Sequence, residues 1–185
     1  MPKKVGFLYE KLLDCEFIRQ TILEAAHGRE NRPDVAPVVA DLDRYTKMTY
    51  ELFAKGSFVP SPPKERLIYD PSSQKHRQIK MAPFWPDGVV QWVLVTVMKP
   101  VLMRGMHHWS CASIPGRGGK RIQKKIKSVL RSDPKGTKYA AEMDVARYYP
   151  SIDHSRLIWA LARKIKDKDF LRLVYSIIES CGCFH

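Results

Sequence analysis

Acidic residues are scarce in this 185-residue chain: 19 Asp and Glu stand against 32 Lys and Arg, a formal net charge of +13 at pH 7. Long apolar runs are missing too, and no stretch reaches the roughly 18 residues that a membrane-spanning helix needs. The charged start Met1-Pro2-Lys3-Lys4 is followed by neither an apolar core nor a small-residue cleavage site, which argues against a secretory leader. Cysteines number four, at positions 15, 111, 181 and 183. Cys181-Gly182-Cys183 resembles half a zinc site, but no second Cys/His pair stands at ribbon or finger spacing. Reduced, unliganded thiols and a cytoplasmic location are therefore expected. Internal repeats and low-complexity tracts are absent. What remains, 44% hydrophobic and 28% charged, is a globular composition with enough chain for one large domain or one and a half small ones.

The positive charge is concentrated. Between Gly116 and Lys138 nine basic residues meet a single acid, Asp133, so this segment alone carries +8. Such a field attracts polyphosphate backbones and contributes little to folding. Nucleic acid is the favoured partner; charge alone leaves open a solubilising face, an anionic membrane or an acidic protein.

Apolar spacing predicts the elements. Leu8, Leu12, Cys15, Ile18, Ile22 and Ala26 recur at intervals of three and four, one face of a helix over 7–26, with His27-Gly28 as its stop. Val38, Leu42, Tyr45, Met48, Tyr50 and Phe53 predict a second helix over 35–53, with Pro37 in its first turn and Gly56 beyond its end. Residues 66–69 and 76–81 flank the turn-rich 70–75, a hairpin of two short basic strands. A largely buried helix is expected from Pro86 to Met103, because Val89, Val90, Val93, Leu94, Val97, Met98, Val101 and Leu102 fill more than one face. The loop S-I-P-G-R-G-G at 113–119 leads into a basic helix over 120–131, with Ile122, Ile126, Val129 and Leu130 as its inward stripe. A short strand over 138–145 follows. Two helices come next, one with Leu157, Ile158, Leu161 and Ile165, the other with Phe170, Leu171, Val174, Tyr175 and Ile178.

The strand over 138–145 delivers Asp144 to its end, after which the chain turns through Tyr148, Tyr149 and Pro150. An acid placed so, facing a basic groove, suits Mg²⁺, which prefers one or two carboxylates together with substrate phosphates. The plain alternative is an aspartate that caps the following turn. Arg77 reads equally as a solvated strand residue and Tyr149 as ordinary core. Tyr148, His76 and Trp85 read as packing residues. His107-His108 lacks the i, i+4 geometry of a helical metal site and reads as structural.

The run M-D-V-A-R-Y-Y-P-S-I at 143–152, followed by D-H-x-x-L, resembles motif A of reverse transcriptases, in the branch that holds retrons, group II introns and related bacterial and phage enzymes. K-H-R-Q-I at 75–79 with P-F-W-P-D-G-V-V-Q at 83–91 is similar to the first fingers motif of that family, and S-I-P-G-R-G-G with its basic helix is similar to the next. The three stand in family order, and the resemblance covers about residues 7 to 180. It implies an α+β fold: reverse-transcriptase fingers with a partial palm, mostly helical, with a short antiparallel hairpin and one palm strand. The implied segments are an N-terminal helical region (1–58), fingers (59–137) and the beginning of a palm (138–185). The implied activity is RNA-directed DNA synthesis from deoxynucleotide triphosphates with Mg²⁺. On matching positions, Asp144 would be a catalytic carboxylate binding both metals, with the carbonyl of Val145 as an extra ligand. Arg77, and less firmly Lys75, would hold the incoming triphosphate. Tyr149 would be the aromatic gate under the sugar. Arg117, Lys120, Arg121 and Lys124 would track the RNA template, opposite a DNA primer.

The chain also departs from the pattern. Gly88 stands where the family has an arginine, and neither an S-Q motif nor a Y-x-D-D hairpin follows Asp144. Residues 177–185 resemble the approach to the S-Q motif, cut short. One carboxylate positions magnesium poorly, so this polypeptide alone is expected not to polymerise, and its partners are expected to be the remainder of a polymerase or a second copy meeting an exposed palm edge. Two rivals belong to other classes. A non-catalytic RNA-binding module derived from a reverse transcriptase would keep the fingers without the chemistry. A basic DNA-binding protein would use 120–131 as a recognition helix, but it lacks a dimer element and leaves the Asp144 segment unexplained.

Overall fold

The N-terminal apolar periodicity produces two helical pieces where spacing alone suggests one. The computed structural model describes residues 3–180 apart from 63, 73, 113, 115, 147 and 150. A 3₁₀ turn, Glu10–Leu13, gives way at Asp14 to α1, Cys15–Ala26. Asp14 is extended, and its carboxylate accepts from the backbone N–H groups of Glu16 (2.9 Å) and Phe17 (3.1 Å), so the side chain that starts α1 also ends the turn before it. The second expected helix is divided in the same way. Asp41 leaves helical geometry between α2, Ala36–Ala40, and α3, Leu42–Ala54. Gly56, at φ 57°, closes α3: its N–H and that of Ser57 turn back onto the carbonyls of Phe53 and Leu52 at 3.0 and 3.1 Å, a double bond pattern that needs a left-handed residue.

The hairpin forms as expected, its first strand two residues longer at the outer end and both strands one residue longer toward the turn. Strands β1, Lys64–Asp70, and β2, Lys75–Met81, pair antiparallel, with Lys64 opposite Met81 and Asp70 opposite Lys75. A wide turn, Phe84–Gly88, then precedes α4, Val89–Met103. The later helices are α5 (Gly119–Ser132), α6 (His154–Ala162) and α7 (Lys168–Ser180). The architecture is α+β, about half helical, with a single two-stranded antiparallel sheet among the described residues.

Contacts group the chain into two units, 1–101 with 152–185, and 102–151. In the first, α1 packs on α3, and Leu12, Ile18, Ile22, Val35, Phe53, Val89, Val90, Val93 and Phe170 are sealed from solvent. Its two sequence-distant parts are clasped by backbone. The N–H of Val5 donates to the carbonyl of Lys164, and the N–H of Lys166 donates back to that of Val5, both at 2.8 Å. One oxygen of Asp167 accepts from the N–H groups of Leu8 and Tyr9 at 2.8 and 2.9 Å, while the other caps α7 through Phe170 N–H at 3.1 Å. Asp87, 1% exposed, pins the segment before the hairpin by accepting from Ser61 N–H (2.8 Å) and Ser61 Oγ (2.7 Å). Trp85 is a packing residue, edge-on to Tyr45 with its indole N–H donating to Thr49 Oγ1 at 3.2 Å.

Two expectations fail in the second unit. Residues 138–145 form no strand; they run as irregular, fully exposed chain. A strand is made by a neighbour that takes its N–H and C=O groups, and among the described residues none lies beside this segment. The apolar stripe of α5 is not turned into a core either: Ile126, Val129 and Leu130 are exposed and α5 has no buried residue. The spacing correctly makes a helix, but spacing cannot supply the surface that would cover it.

Candidate nucleotide and nucleic-acid surface

The strands β1 and β2 set Lys75 and Arg77 on the same face of the hairpin, two residues apart. Asp70 organises this end. Its Oδ1 accepts from Ser72 N–H (3.0 Å) and Ser72 Oγ (2.6 Å), which shapes the turn, and its Oδ2 takes an ion pair from Arg77 Nε at 2.9 Å. The Arg77 side chain keeps over half of its surface in solvent, so this pair is screened and contributes about 0–1 kcal/mol.

At the foot of the hairpin lies a cleft of about 830 Å³ between Arg32, Asp34, Ser61, Lys64, Arg66 and Met81. Arg32 is held at its rim by a two-pronged pair with Asp34, both contacts 3.1 Å. Arg29 lies over the rings of Phe84 and Trp92 at 5.8 and 5.9 Å. No motif in the sequence marks Arg29 and Arg32; two arginines three residues apart beside a proline are the only local signal. Gly88 also borders this region, where an added Cβ would meet the carbonyl of Pro83 at 3.3 Å. An arginine there would press on backbone, so glycine suits this turn.

The other expected site residues belong to the second unit. Asp144 and Val145 stand in the irregular segment, both exposed. Tyr149 is 83% exposed, which excludes a core role, and its ring meets Tyr148 edge-on at 5.4 Å. Ser151 closes the turn, donating from N–H and Oγ to the Tyr148 carbonyl at 3.2 and 2.9 Å; Arg147 and Pro150 lie outside the described residues, as do Cys181 and Cys183. Among the described residues no three of His, Cys, Asp and Glu converge as a metal site. Asp144 and the Val145 carbonyl offer oxygen donors of the kind magnesium takes, too few by themselves to complete its octahedral shell.

Arg117 precedes α5 and donates to the His107 carbonyl at 3.3 Å. Lys120, Arg121 and Lys124 are exposed on α5 itself. His107, His108 and Trp109 stand against this helix as a run of ring contacts, with centroids 4.4 and 4.6 Å apart and Lys125 Nζ 5.1 Å from the Trp109 ring. The imidazolium of His108 is disfavoured, by desolvation first and then by the nearby positive charges of His107, Arg121, Lys125 and Arg117. The structure thus brings Arg117, Arg121 and Lys125 together around His108, and separately brings Lys75 and Arg77 together beside Asp70.

No protein-family model matches the chain. Protein YkfC of Escherichia coli strain K12 is 25% identical over 127 residues, 68% of this chain and 32% of that protein. The uncharacterized mitochondrial protein ymf11 of Marchantia polymorpha is 27% identical over 170 residues, 92% of this chain and 21% of that protein. The chain spans about a third and about a fifth of the length of these two relatives. No helix among the described residues is long and apolar enough to cross a membrane.

Proposed function

We propose that the chain is the fingers and opening palm of an RNA-directed DNA polymerase, with an RNA template, a DNA primer and deoxynucleotide triphosphates as its ligands. The observation that carries this reading is the M-D-V-A-R-Y-Y-P-S-I run itself, in order behind the two fingers-like motifs. The exposed hairpin arginine and the exposed basic helix support it. Arg77 and Lys75 take the triphosphate, Asp70 releasing Arg77 as the phosphate arrives. Asp144 and the Val145 carbonyl hold magnesium once nucleotide brings it; the metal supplies charge neutralisation on the phosphates. Tyr149 lies under the sugar. Arg117, Lys120, Arg121 and Lys124 track the template backbone.

The second carboxylate of a two-metal centre is not within this sequence, since no Y-x-D-D occurs. The 185-residue polypeptide is therefore expected to bind but not to extend a primer. Residues 139–149 keep Tyr139, Met143 and Val145 uncovered, and the proposed cover is the remainder of a palm or a second copy.

The test is equilibrium binding of labelled dTTP to the chain on poly(rA)/oligo(dT) in Mg²⁺. Arg77→Ala and Asp144→Asn should each weaken nucleotide binding about tenfold or more, in line with loss of a charged phosphate or metal contact. Nucleotide binding that is absent from the unaltered chain, or indifferent to both changes, would leave the non-catalytic RNA-binding module as the correct reading.

A further inference from the structure

The cluster around His108 has a feature that neither template tracking nor triphosphate binding uses. α4 ends near Gly105, at φ 75°, and the chain enters a turn in which Ser110 N–H donates to the His107 carbonyl at 2.9 Å. The His107 ring is fixed within that turn, since its Nδ1 accepts from Trp109 N–H at 3.3 Å, and its carbonyl is also held by Arg117. Cys111, two residues after Trp109, is buried at 9% exposure. The outcome is three consecutive rings, His107 and His108 exposed and Trp109 half-buried, beside cations of α5. A hydrophobic core has no use for this pattern, because the rings face charge and solvent. Duplex phosphates have no use for the rings.

We infer that His107, His108 and Trp109 form a stacking platform for unpaired bases of a single-stranded nucleic acid, with Arg117, Arg121 and Lys125 taking the phosphates on either side. Every base offers a π-face, so such a platform tolerates any sequence, and cations placed beside the rings hold the strand in register. The lowered proton affinity of His108, by desolvation and then by the nearby positive charges, agrees with cations beside the ring. The inference rests on the rings and their cations rather than on Asp144, and it deepens the polymerase reading by naming where the unpaired strand lies.

The test is fluorescence anisotropy with the full chain in EDTA and no nucleotide, where Asp144 has no part. Twelve-nucleotide oligo(U), oligo(dT) and a 12-base-pair duplex serve as probes. Trp109→Ala and His108→Ala should each weaken both single strands roughly 5- to 100-fold, the range for loss of one stacked base, while duplex binding changes less than about twofold. Trp109→Phe should restore most of the loss. Arg121→Ala with Lys125→Ala should reduce the slope of log affinity against log salt by about 1.4, for two phosphates on a single strand. Unchanged duplex binding reports that the alanine variants remain folded. The inference is overturned if the unaltered chain binds no single strand, if the ring variants bind it as well as the unaltered chain, or if duplex binding falls in parallel. Loss of platform binding with intact dTTP binding would fault this inference alone, and the converse would fault the polymerase reading alone.

Discussion

The two units differ in what holds them. Every buried apolar side chain among the described residues, Cys111 excepted, belongs to residues 3–101 and 152–180, whereas 102–151 carries the densest positive charge and most of its described residues are exposed. The first unit is specified by burial, caps and a backbone clasp; the second is specified by local helix propensity and turns. Charge of one sign resists compaction through self-repulsion. The family-like residues divide accordingly, Lys75 and Arg77 on the exposed hairpin of the first unit, Asp144, Tyr149 and Arg117 on the second.

That division can be broken most forcefully at the core. Phe170 is fully buried, and Phe170→Ala should cost about 3–5 kcal/mol, read as a fall in the urea midpoint. A loss below about 1 kcal/mol would mean that the first unit is not held by packing. Asp167→Ala is expected to come next. It strips the acceptor from the N–H groups of Leu8, Tyr9 and Phe170, and unmade bonds of this kind cost about 2–3 kcal/mol in sum. Hydrogen exchange should speed first at Leu8 and Tyr9; protection there that survives the change would remove the clasp from the account.

A smaller effect is expected in alkali. The Tyr9 hydroxyl donates to the Phe53 carbonyl at 2.8 Å, and its pKa is raised above 10.0 by desolvation first, then by Asp169 and Asp167. The folded chain therefore keeps a proton that the unfolded chain gives up. Stability contributed by this group is intact below pH 10.0 and falls as pH rises through and beyond it. Tyr9→Phe should flatten that part of the pH–stability curve, and an unchanged slope would show that another group is responsible. The smallest effect belongs to the second unit: Ile126→Ala, at a residue 52% exposed, should move the midpoint by no more than about 0.5 kcal/mol. A larger shift would show that the α5 stripe is covered in solution.

What the sequence disclosed follows the same line. The hairpin, α7 and the one buried face of α4 were legible because each is written in neighbouring residues; α6 was legible as far as Ala162, whereas Ile165, expected in it, lies beyond its end in the backbone clasp. Asp14 was a visible helix start, an acid before an apolar-periodic run, yet the periodicity on both sides of it concealed the break. The strand expected over 138–145 was not legible as absent, since alternation speaks of the strand and never of its partner. The Asp167 clasp joins residues 158 and 159 positions apart, a distance over which local pattern carries nothing. His107 and His108 read as structural for want of metal-ligand spacing, and the stacking proposal rests instead on the adjoining Trp109 and the cations of α5, which that spacing does not weigh.

The role assigned to Asp144 is open to one direct measurement. Ferrous iron exchanged for magnesium, with ascorbate and peroxide, cuts backbone beside the site where it binds. With template–primer and dTTP present, cleavage of this chain should fall within a few residues of Asp144, require the nucleotide, and vanish in Asp144→Asn. Cuts that fall elsewhere, or that persist in the Asn variant, would contradict the account.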